Sequence, residues 1–511
     1  MASEADQNQP TKKPTLADNH GEEDEDFISR LPDTILHMIL SKLEMRDAAV
    51  TTAVSKRWAP VFTTLPSLKI DGNSFNPRVL AYPDHWEPYV EDADKWMESL
   101  FSVLDSRKTP IEKFEIDVGI FAKCDGYFHV VFRELCGAGV KELLILNNAF
   151  DHIYDLPSPV FSCNTIVNLE LLYCSIEVPS KLTGLRSVKS LKLRHVTVAD
   201  IDLRRMISQC NAMEKLVITD CNKVENIVIR GPSLLELVIN FCRPVGISLK
   251  SVPRLAFVEV SLIYDYNSWF EYYASFEERF AAREDSDEDF FTYCSNDNSF
   301  RDTGKTFEGT NEATNLMAFL NRIRSVKDLR LNFSNEYRAM LSKEGIALPT
   351  RLSPKCYLVE LKKLQLSWPS NYHTFNTLVS CLLKSSPHLM EIIICVDASC
   401  DDKYRHFALE LDFWDKQLPA ECVKHHMTTA TFYYGYISED CFGFPKFLLL
   451  NARNLKNMNI FYTGKLNDKP ETTDKIKHEV LAVQQASPDV EMTIKPLISR
   501  FQYSDDDGDL S

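Results

Sequence analysis

Val188-Lys189-Ser190-Leu191-Lys192-Leu193 carries apolar residues at its first, fourth and sixth positions, and Met213-Glu214-Lys215-Leu216-Val217-Ile218 repeats that spacing. Outward from this pair the pattern recurs at Ile111/Phe114/Ile116, Val140/Leu143/Ile145 and Ile166/Leu169/Leu171 on one side, and at Leu234/Leu237/Ile239 and Leu255/Val258/Val260 on the other. The starts at 111, 140, 166, 188, 213, 234 and 255 are separated by steps of 29, 26, 22, 25, 21 and 21 residues. Residues two apart on a strand share a face, so the last two apolar residues of each motif point the same way. A unit of this length cannot bury that face alone and must stack on its neighbours.

Three residues after the last apolar position, a buried polar group is expected where the chain leaves the strand. Asn148, Cys174, Cys221 and Cys242 occupy it. An Asn or a thiol there can hydrogen-bond the departing backbone, which an aliphatic residue cannot do. Period and motif together are those of leucine-rich repeats. The array resumes at Val326/Leu329/Leu331, Leu361/Leu364/Leu366 and Leu389/Ile392/Ile394, with longer steps of 35 and 28. The fold class predicted is an α/β repeat: an irregular solenoid, or horseshoe, with strands on its concave side. The residues between the leucines, among them Glu170, Lys192, Val217, Val238, Glu259, Arg330 and Gln365, form no single-sign stripe and give no fingerprint of a ligand. Between Tyr264 and Asn311 the repeat is lost in an acidic stretch, read as a flexible insert whose aromatics include Tyr272, Phe276 and Phe290.

Ahead of the repeats, Leu36, Ile39, Leu40 and Leu43 fall at the spacing of one helix face. Pro32 suits the start of that helix. A second helix is expected after Asp47 as its N-cap, with Ala49, Val50, Ala53 and Val54 apolar, ending at Ser55-Lys56-Arg57-Trp58. About 45 residues is too few for a well-buried independent core, so the apolar stripe calls for a partner. The identities Leu31-Pro32-Asp33, Ile39-Leu40-Ser41, Leu43, Arg46-Asp47-Ala48-Ala49, Thr52 and Val54-Ser55-Lys56-Arg57-Trp58 closely resemble the F-box of plant F-box proteins, with Val54 and Lys56 as slight departures. The resemblance implies docking on the Skp-family adaptor of a cullin-based ubiquitin ligase through Leu31, Pro32, Ile35, Leu36, Ile39, Leu40, Leu43, Val54 and Trp58.

From residue 412 the pattern changes. Cys422, Lys424, Gly435, Phe447-Leu448-Leu449-Leu450-Asn451-Ala452 and Leu455-Lys456-Asn457-Met458 resemble the FBD domain found at the C-terminus of many plant F-box and leucine-rich-repeat proteins. A glutamate of that family must be sought at Glu439, at a loose spacing. The implied domain caps the solenoid. The organisation expected is an acidic disordered tail over 1–26, an F-box over 27–72, repeats over 73–263, the insert over 264–311, irregular repeats over 312–410, the FBD-like domain over 411–497 and an acidic tail over 498–511.

The remaining features exclude more than they assign. With 57 Lys+Arg against 73 Asp+Glu among 511 residues, the net charge of -16 repels phosphate and argues against nucleic acid as a partner. No run reaches the ~18 apolar residues of a membrane span, and the acidic N-terminus lacks a secretory h-region, so cytoplasm or nucleus is expected. The 14 cysteines show no C-x-x-C pair and read as reduced thiols. Gly304-Lys305-Thr306 has Ser299 where a phosphate loop needs its first glycine. His425-His426, taken as neighbours on a strand, would point to opposite faces and could not share a metal. Asn332-Phe333-Ser334 spells a sequon that is silent in the cytosol. Ser286 and Ser504, each followed by acids, suit an acid-directed kinase. No catalytic motif, cofactor or metal site is announced. The chain is therefore read as a non-catalytic subunit that recruits a client protein to the ligase, or alternatively as a repeat scaffold or receptor with no role in ubiquitination.

Overall fold

The last two residues of every apolar triplet named above lie on a strand, and the strands lie side by side in chain order. The computed structural model describes residues 28, 30–71, 74, 93–121, 125–148, 154–241, 246–262, 316, 318–333, 349–369, 372–397, 413–434, 442–462, 478 and 482–496. Fourteen strands make one sheet: β1 Ser67–Ile70, β2 Lys113–Asp117, β3 Glu142–Leu146, β4 Asn168–Leu172, β5 Ser190–Arg194, β6 Lys215–Thr219, β7 Glu236–Phe241, β8 Phe257–Leu262, β9 Asp328–Phe333, β10 Lys363–Pro369, β11 Glu391–Asp397, β12 Thr429–Tyr434, β13 Asn457–Tyr462 and β14 Glu491–Pro496. All neighbours are parallel and in register. One unbroken row of partners runs Leu68, Phe114, Leu143, Leu169, Leu191, Leu216, Leu237 and Val258, then Leu329, Leu364, Ile392, Ala430, Met458 and Met492. A parallel sheet needs a long return after each strand. The repeat period supplies it.

Three features depart from the expected organisation. The first strand falls inside the segment read as the F-box, where Leu65, Leu68 and Ile70 carry the same apolar spacing and are all buried. Strands β8 and β9 pair directly across the long connection between them, so the sheet is not interrupted where the repeat lapses in sequence. The residues likened to an FBD domain supply β12, β13 and β14, which extend the same sheet.

The returns pack on one face of the sheet. Helices α1 Asp33–Leu40, α2 Met45–Val54 and α3 Trp58–Thr63 lead into β1, and α4 Ala93–Asp105, α5 Asp125–Ala138, α6 Ser158–Ser162, α7 Asp200–Gln209, α8 Tyr372–Ser385, α9 Glu421–His425 and α10 Gly443–Asn451 supply returns between strands. Their inward residues, such as Phe128, Phe132, Leu203, Met206, Leu378, Leu382 and Leu448, join the strand leucines in one continuous core. Between β6 and β8 the returns are instead two paired strands, Asn226–Arg230 and Gly246–Ser251.

At the strand exits, the two described cysteines behave alike. Cys174 Sγ lies 3.1 Å from Leu172 O and 4.0 Å from Ile145 O, and Cys221 Sγ lies 3.6 Å from Thr219 O and 3.7 Å from Leu193 O. Each thiol thus donates toward the departing strand and the preceding repeat. Tyr173, His195 and Asp220, just before the inward residue, all take left-handed backbone conformations, with φ of 54°, 51° and 45°. This is how the chain turns off the strand. Asn148 departs from the expectation. It is only half-buried, and its side-chain Nδ2 donates to Asp117 Oδ2 at 2.9 Å while its backbone N donates to Oδ1 at 3.1 Å. A buried acid one strand back, with Gly119 N also donating at 3.0 Å, has replaced the backbone as its partner. Burial holds the Asp117 carboxyl well above its usual range, at about 6.

The two tails read as disordered, the acidic insert with Gly304-Lys305-Thr306 and Ser286, and Cys242, Gly435, Glu439 and Ser504 lie outside the described residues.

Candidate protein-docking site

Helix α1 is apolar on both sides, and the two sides have different fates. Leu36 and Leu40 are 0% and 1% exposed and belong to the same core as the repeat leucines. Met38, Ile39 and Leu43 stay exposed. The stripe read as one docking surface is therefore divided, and its buried half faces the chain's own sheet. The expectation that these leucines were too few for a core fails because β1, which follows α3, extends the repeat core beneath them.

Helix α2 adds to the outer face. It begins at Met45, two residues before the expected cap, with Glu44 ahead of it and Asp47 in its first turn. Ala48 is buried, while Val50 and Val54 are exposed, Val54 by 78%. Trp58 opens a third helix, α3, that the sequence reading lacked, and packs half-buried against the core. Leu31 does the same, whereas Pro32 is exposed and Ile35 half-buried. Of the residues the resemblance assigns, Pro32, Ile39, Leu43 and Val54 are open to a partner and Leu36 and Leu40 are not.

Polar contacts fix this helical unit. Arg57 pairs with Asp33 and also reaches Leu31 O at 3.4 Å, which joins the two ends of the segment. His37 Nε2 meets Thr64 Oγ1 at 3.0 Å. Arg107, which follows α4, donates to Phe62 O at 2.7 Å and to Leu65 O, capping the end of α3 and tying it to the sheet. Burial pulls the Arg107 guanidinium down to about 10. No periodicity announces Arg107; a lone arginine after an amphipathic helix carries no sequence signal. Met38 and Val50 were legible in principle, since a helix apolar on both sides calls for two partners.

The other face of the sheet is open and polar. Glu170 accepts from Lys192 at 2.8 Å and Arg194 at 3.3 Å, and Arg330 lies 3.6 Å from Glu259 and 3.4 Å from Asp328, with its guanidinium 4.8 Å from the Phe257 ring centroid. Asn332, the sequon residue, is buried in this face. At the lower edge of β11 to β14 a cleft of about 660 Å³ is lined by His425, His426, Arg453, Lys456, Asp489 and Glu491, among others. His425 ends α9 rather than lying on a strand, and reaches Glu421 at 3.6 Å, while His426 meets His388 edge-on at 5.1 Å between ring centroids. Among the described residues no group of three or more His, Cys, Asp or Glu is placed to hold a metal, and no helix is long and apolar enough to cross a membrane.

Comparison with known proteins bears on this arrangement. The family model of the F-box domain matches residues 28–69, and the model of the leucine-rich repeats of FBD-associated F-box protein At5g56370 matches residues 129–265. Among Arabidopsis thaliana proteins, the chain is 28% identical over 240 residues to F-box/FBD/LRR-repeat protein At1g13570, covering 47% of this chain and 55% of that protein. It is 29% identical over 226 residues to F-box/FBD/LRR-repeat protein At1g80470, covering 43% and 45%. The chain thus matches about half the length of these relatives. The chain thus carries an F-box whose inner face is buried against leucine-rich repeats similar to the FBD-associated type, and in both parts it is similar to plant F-box/leucine-rich-repeat proteins.

Proposed function

We propose that the chain is the substrate-recognition subunit of an SCF-type ubiquitin ligase, binding a Skp-family adaptor, and through it a cullin, with the exposed apolar face of α1 and α2. The observation that carries this reading is the segregation of the F-box: Leu36 and Leu40 are sealed in the core while Met38, Ile39, Leu43, Val50 and Val54 face outward. Several large apolar side chains left in water on one short helical unit mark an interaction surface. A client protein then binds the repeats, which form a solenoid closed by an FBD-like cap, in the cytoplasm or nucleus. The chain performs no bond chemistry. Its contribution is effective concentration, holding client lysines near a charged conjugating enzyme.

Co-purification of the tagged full-length chain tests this. Adaptor and cullin recovered together support the ligase. Adaptor without cullin favours the scaffold reading, and neither refutes the assignment of the docking face.

A further inference from the structure

Two thiols meet on the return side of the sheet, away from both the docking face and the open face. Cys136 lies in the last turn of α5 and Cys163 caps the end of α6, and these two helices pack on each other. The two side chains are hydrogen-bonded to each other. Cys163 Sγ also lies 3.3 Å from Thr165 Oγ1 and accepts from the backbone N–H groups of Thr165 and Ile166, so the turn after α6 wraps donors around the sulfur. The hydrogen bond from Cys136, helped by those amides, holds the Cys163 thiol down at about 6 against the effect of its burial, and Cys136, which keeps the proton, is pushed far up. The pair thus shares one proton and one negative charge at neutral pH. Cys174 and Cys221 differ, because each donates to backbone carbonyls and stands apart from other thiols.

A thiolate beside a second thiol is the arrangement that oxidises reversibly. Cys163 is 3% exposed, whereas Cys136 is half-buried and gives a small oxidant its way in. We propose that Cys136 and Cys163 form a reversible disulfide when the chain meets hydrogen peroxide, and that this bond locks the returns of two consecutive repeats together. The proton on Cys136 first passes to Cys163 along the hydrogen bond they share. The Cys136 thiolate then attacks one peroxide oxygen: an S–O bond forms, the O–O bond breaks and hydroxide leaves. Cys163 sulfur attacks the sulfenic sulfur of Cys136, the S–S bond forms, the S–O bond breaks, and the departing hydroxide takes the Cys163 proton as water. Two sulfurs are oxidised and one peroxide is reduced, so the singly protonated pair yields disulfide, water and hydroxide. Bonded sulfurs stand ~2.05 Å apart, so thiols in hydrogen-bond contact must close by about 1–2 Å. Cys163 is fixed, since Leu185 N donates to its carbonyl at 2.7 Å and Gly184 N to Phe161 O at 3.0 Å. The movement falls to the end of α5, where Gly137 has open space beside it and the chain turns off at Gly139 with φ of 91°.

The test treats the reduced full-length chain with hydrogen peroxide, blocks remaining thiols with N-ethylmaleimide and maps the peptides by mass spectrometry without reduction. Expected is a linked pair of peptides carrying Cys136 and Cys163, lighter than the reduced pair by two hydrogens, formed at a rate independent of protein concentration and lost on adding dithiothreitol. The cross-link closes the chain from 136 to 163, so the oxidised form should melt at a higher temperature and exchange amide hydrogens more slowly at the end of α5. C163S, which removes the charge from the pair, should slow peroxide oxidation of Cys136 at least ~tenfold. C136S should lose the linked peptide and the rise in melting temperature. Melts of the reduced variants check folding, and C136S, at the half-buried position, decides if C163S fails to fold. Peroxide that oxidises Cys356 while Cys136 and Cys163 both stay free overturns the proposal. So does a linked peptide whose rate scales with protein concentration, which marks a bond between chains, or an intramolecular bond that leaves the melting temperature unchanged.

Discussion

Replacing Ile39 and Val54 together by Asp removes two apolar side chains from the outer face of the F-box while leaving its core intact. Val54 is 78% exposed and Ile39 37%, so the fold uses little of Val54 and leaves over a third of Ile39 in solvent. Surface substitutions of this kind change stability by about 0.5 kcal/mol or less. In the adaptor complex the exposed parts of both side chains would be buried, which scaled by these exposures is worth roughly 1.7–3.5 kcal/mol together. The double substitution should therefore weaken adaptor binding by at least ~1.7 kcal/mol, about twentyfold, and desolvating two carboxylates adds to the loss. Titration of the full-length chain with purified Skp-family adaptor, beside a thermal melt, measures both quantities. Adaptor affinity within threefold of the native chain, at an unchanged melting temperature, would refute the docking face. Aspartates at Leu36 and Leu40 give no such answer, because these residues are inside and their loss unfolds the unit that displays the face.

Four further outcomes follow from the same geometry. Leu40→Ala should cost about 2–5 kcal/mol, since it opens a cavity beneath α1, and hydrogen exchange should show α1 to α3 opening before β5 and β6. Arg107→Leu removes two charged hydrogen bonds to the end of α3, worth roughly 1.5–3 kcal/mol each, and should raise protease sensitivity near Thr64 while exchange in β5 and β6 stays unchanged. Cys221, whose thiol burial pushes up to about 12, and Cys174 should react with a thiol reagent only on unfolding, while half-buried Cys356 reacts first. Asp117 makes the fold pH-sensitive: its carboxyl titrates at about 6 in the folded chain against 3.8 ordinarily, so the folded form binds the proton more tightly and stability falls as pH rises from 4 to 6. This group's share of the loss is about 3 kcal/mol, and in Asp117→Asn the difference from the native chain should disappear below pH 4 and be greatest above pH 6.

The strands were legible because they obey a local rule. Three apolar residues at fixed spacing close a core whose geometry is the same at Leu191 and at Leu364, whatever surrounds them. The same rule holds at Leu65/Leu68/Ile70, Met427/Ala430/Phe432 and Leu455/Met458/Ile460, all buried, and these were masked in sequence only by neighbouring motifs that suggested other units. The docking face was half legible. Periodicity finds the apolar positions of α1, but which side turns inward depends on β1 pairing with β2, a long-range contact absent from any window of sequence. Arg107 was not legible at all. Its role comes from carbonyls brought to it by folding, and a single polar residue after a helix carries no period of its own.

One physical consequence of the shared core concerns how a client would be presented. A short F-box joined to its repeats through a free linker would search a volume set by linker length, and effective concentration would fall as that volume grows. Here α1 and α3 contribute Leu36, Leu40, Val61 and Phe62 to the same core as β1, and Arg107 holds the end of α3 from the far side of α4. Swinging the outer face relative to the open face of the sheet would require opening that core, at a cost of several side chains worth roughly 1.5–3 kcal/mol each. The orientation of the open face of the sheet relative to the outer face of the F-box is thus set by packing. On the proposed ligase role, a cavity at Leu40 should loosen that orientation before it abolishes adaptor or client binding, so partial loss of ubiquitination with both bindings retained is the behaviour that distinguishes a rigid presenter from a tethered one.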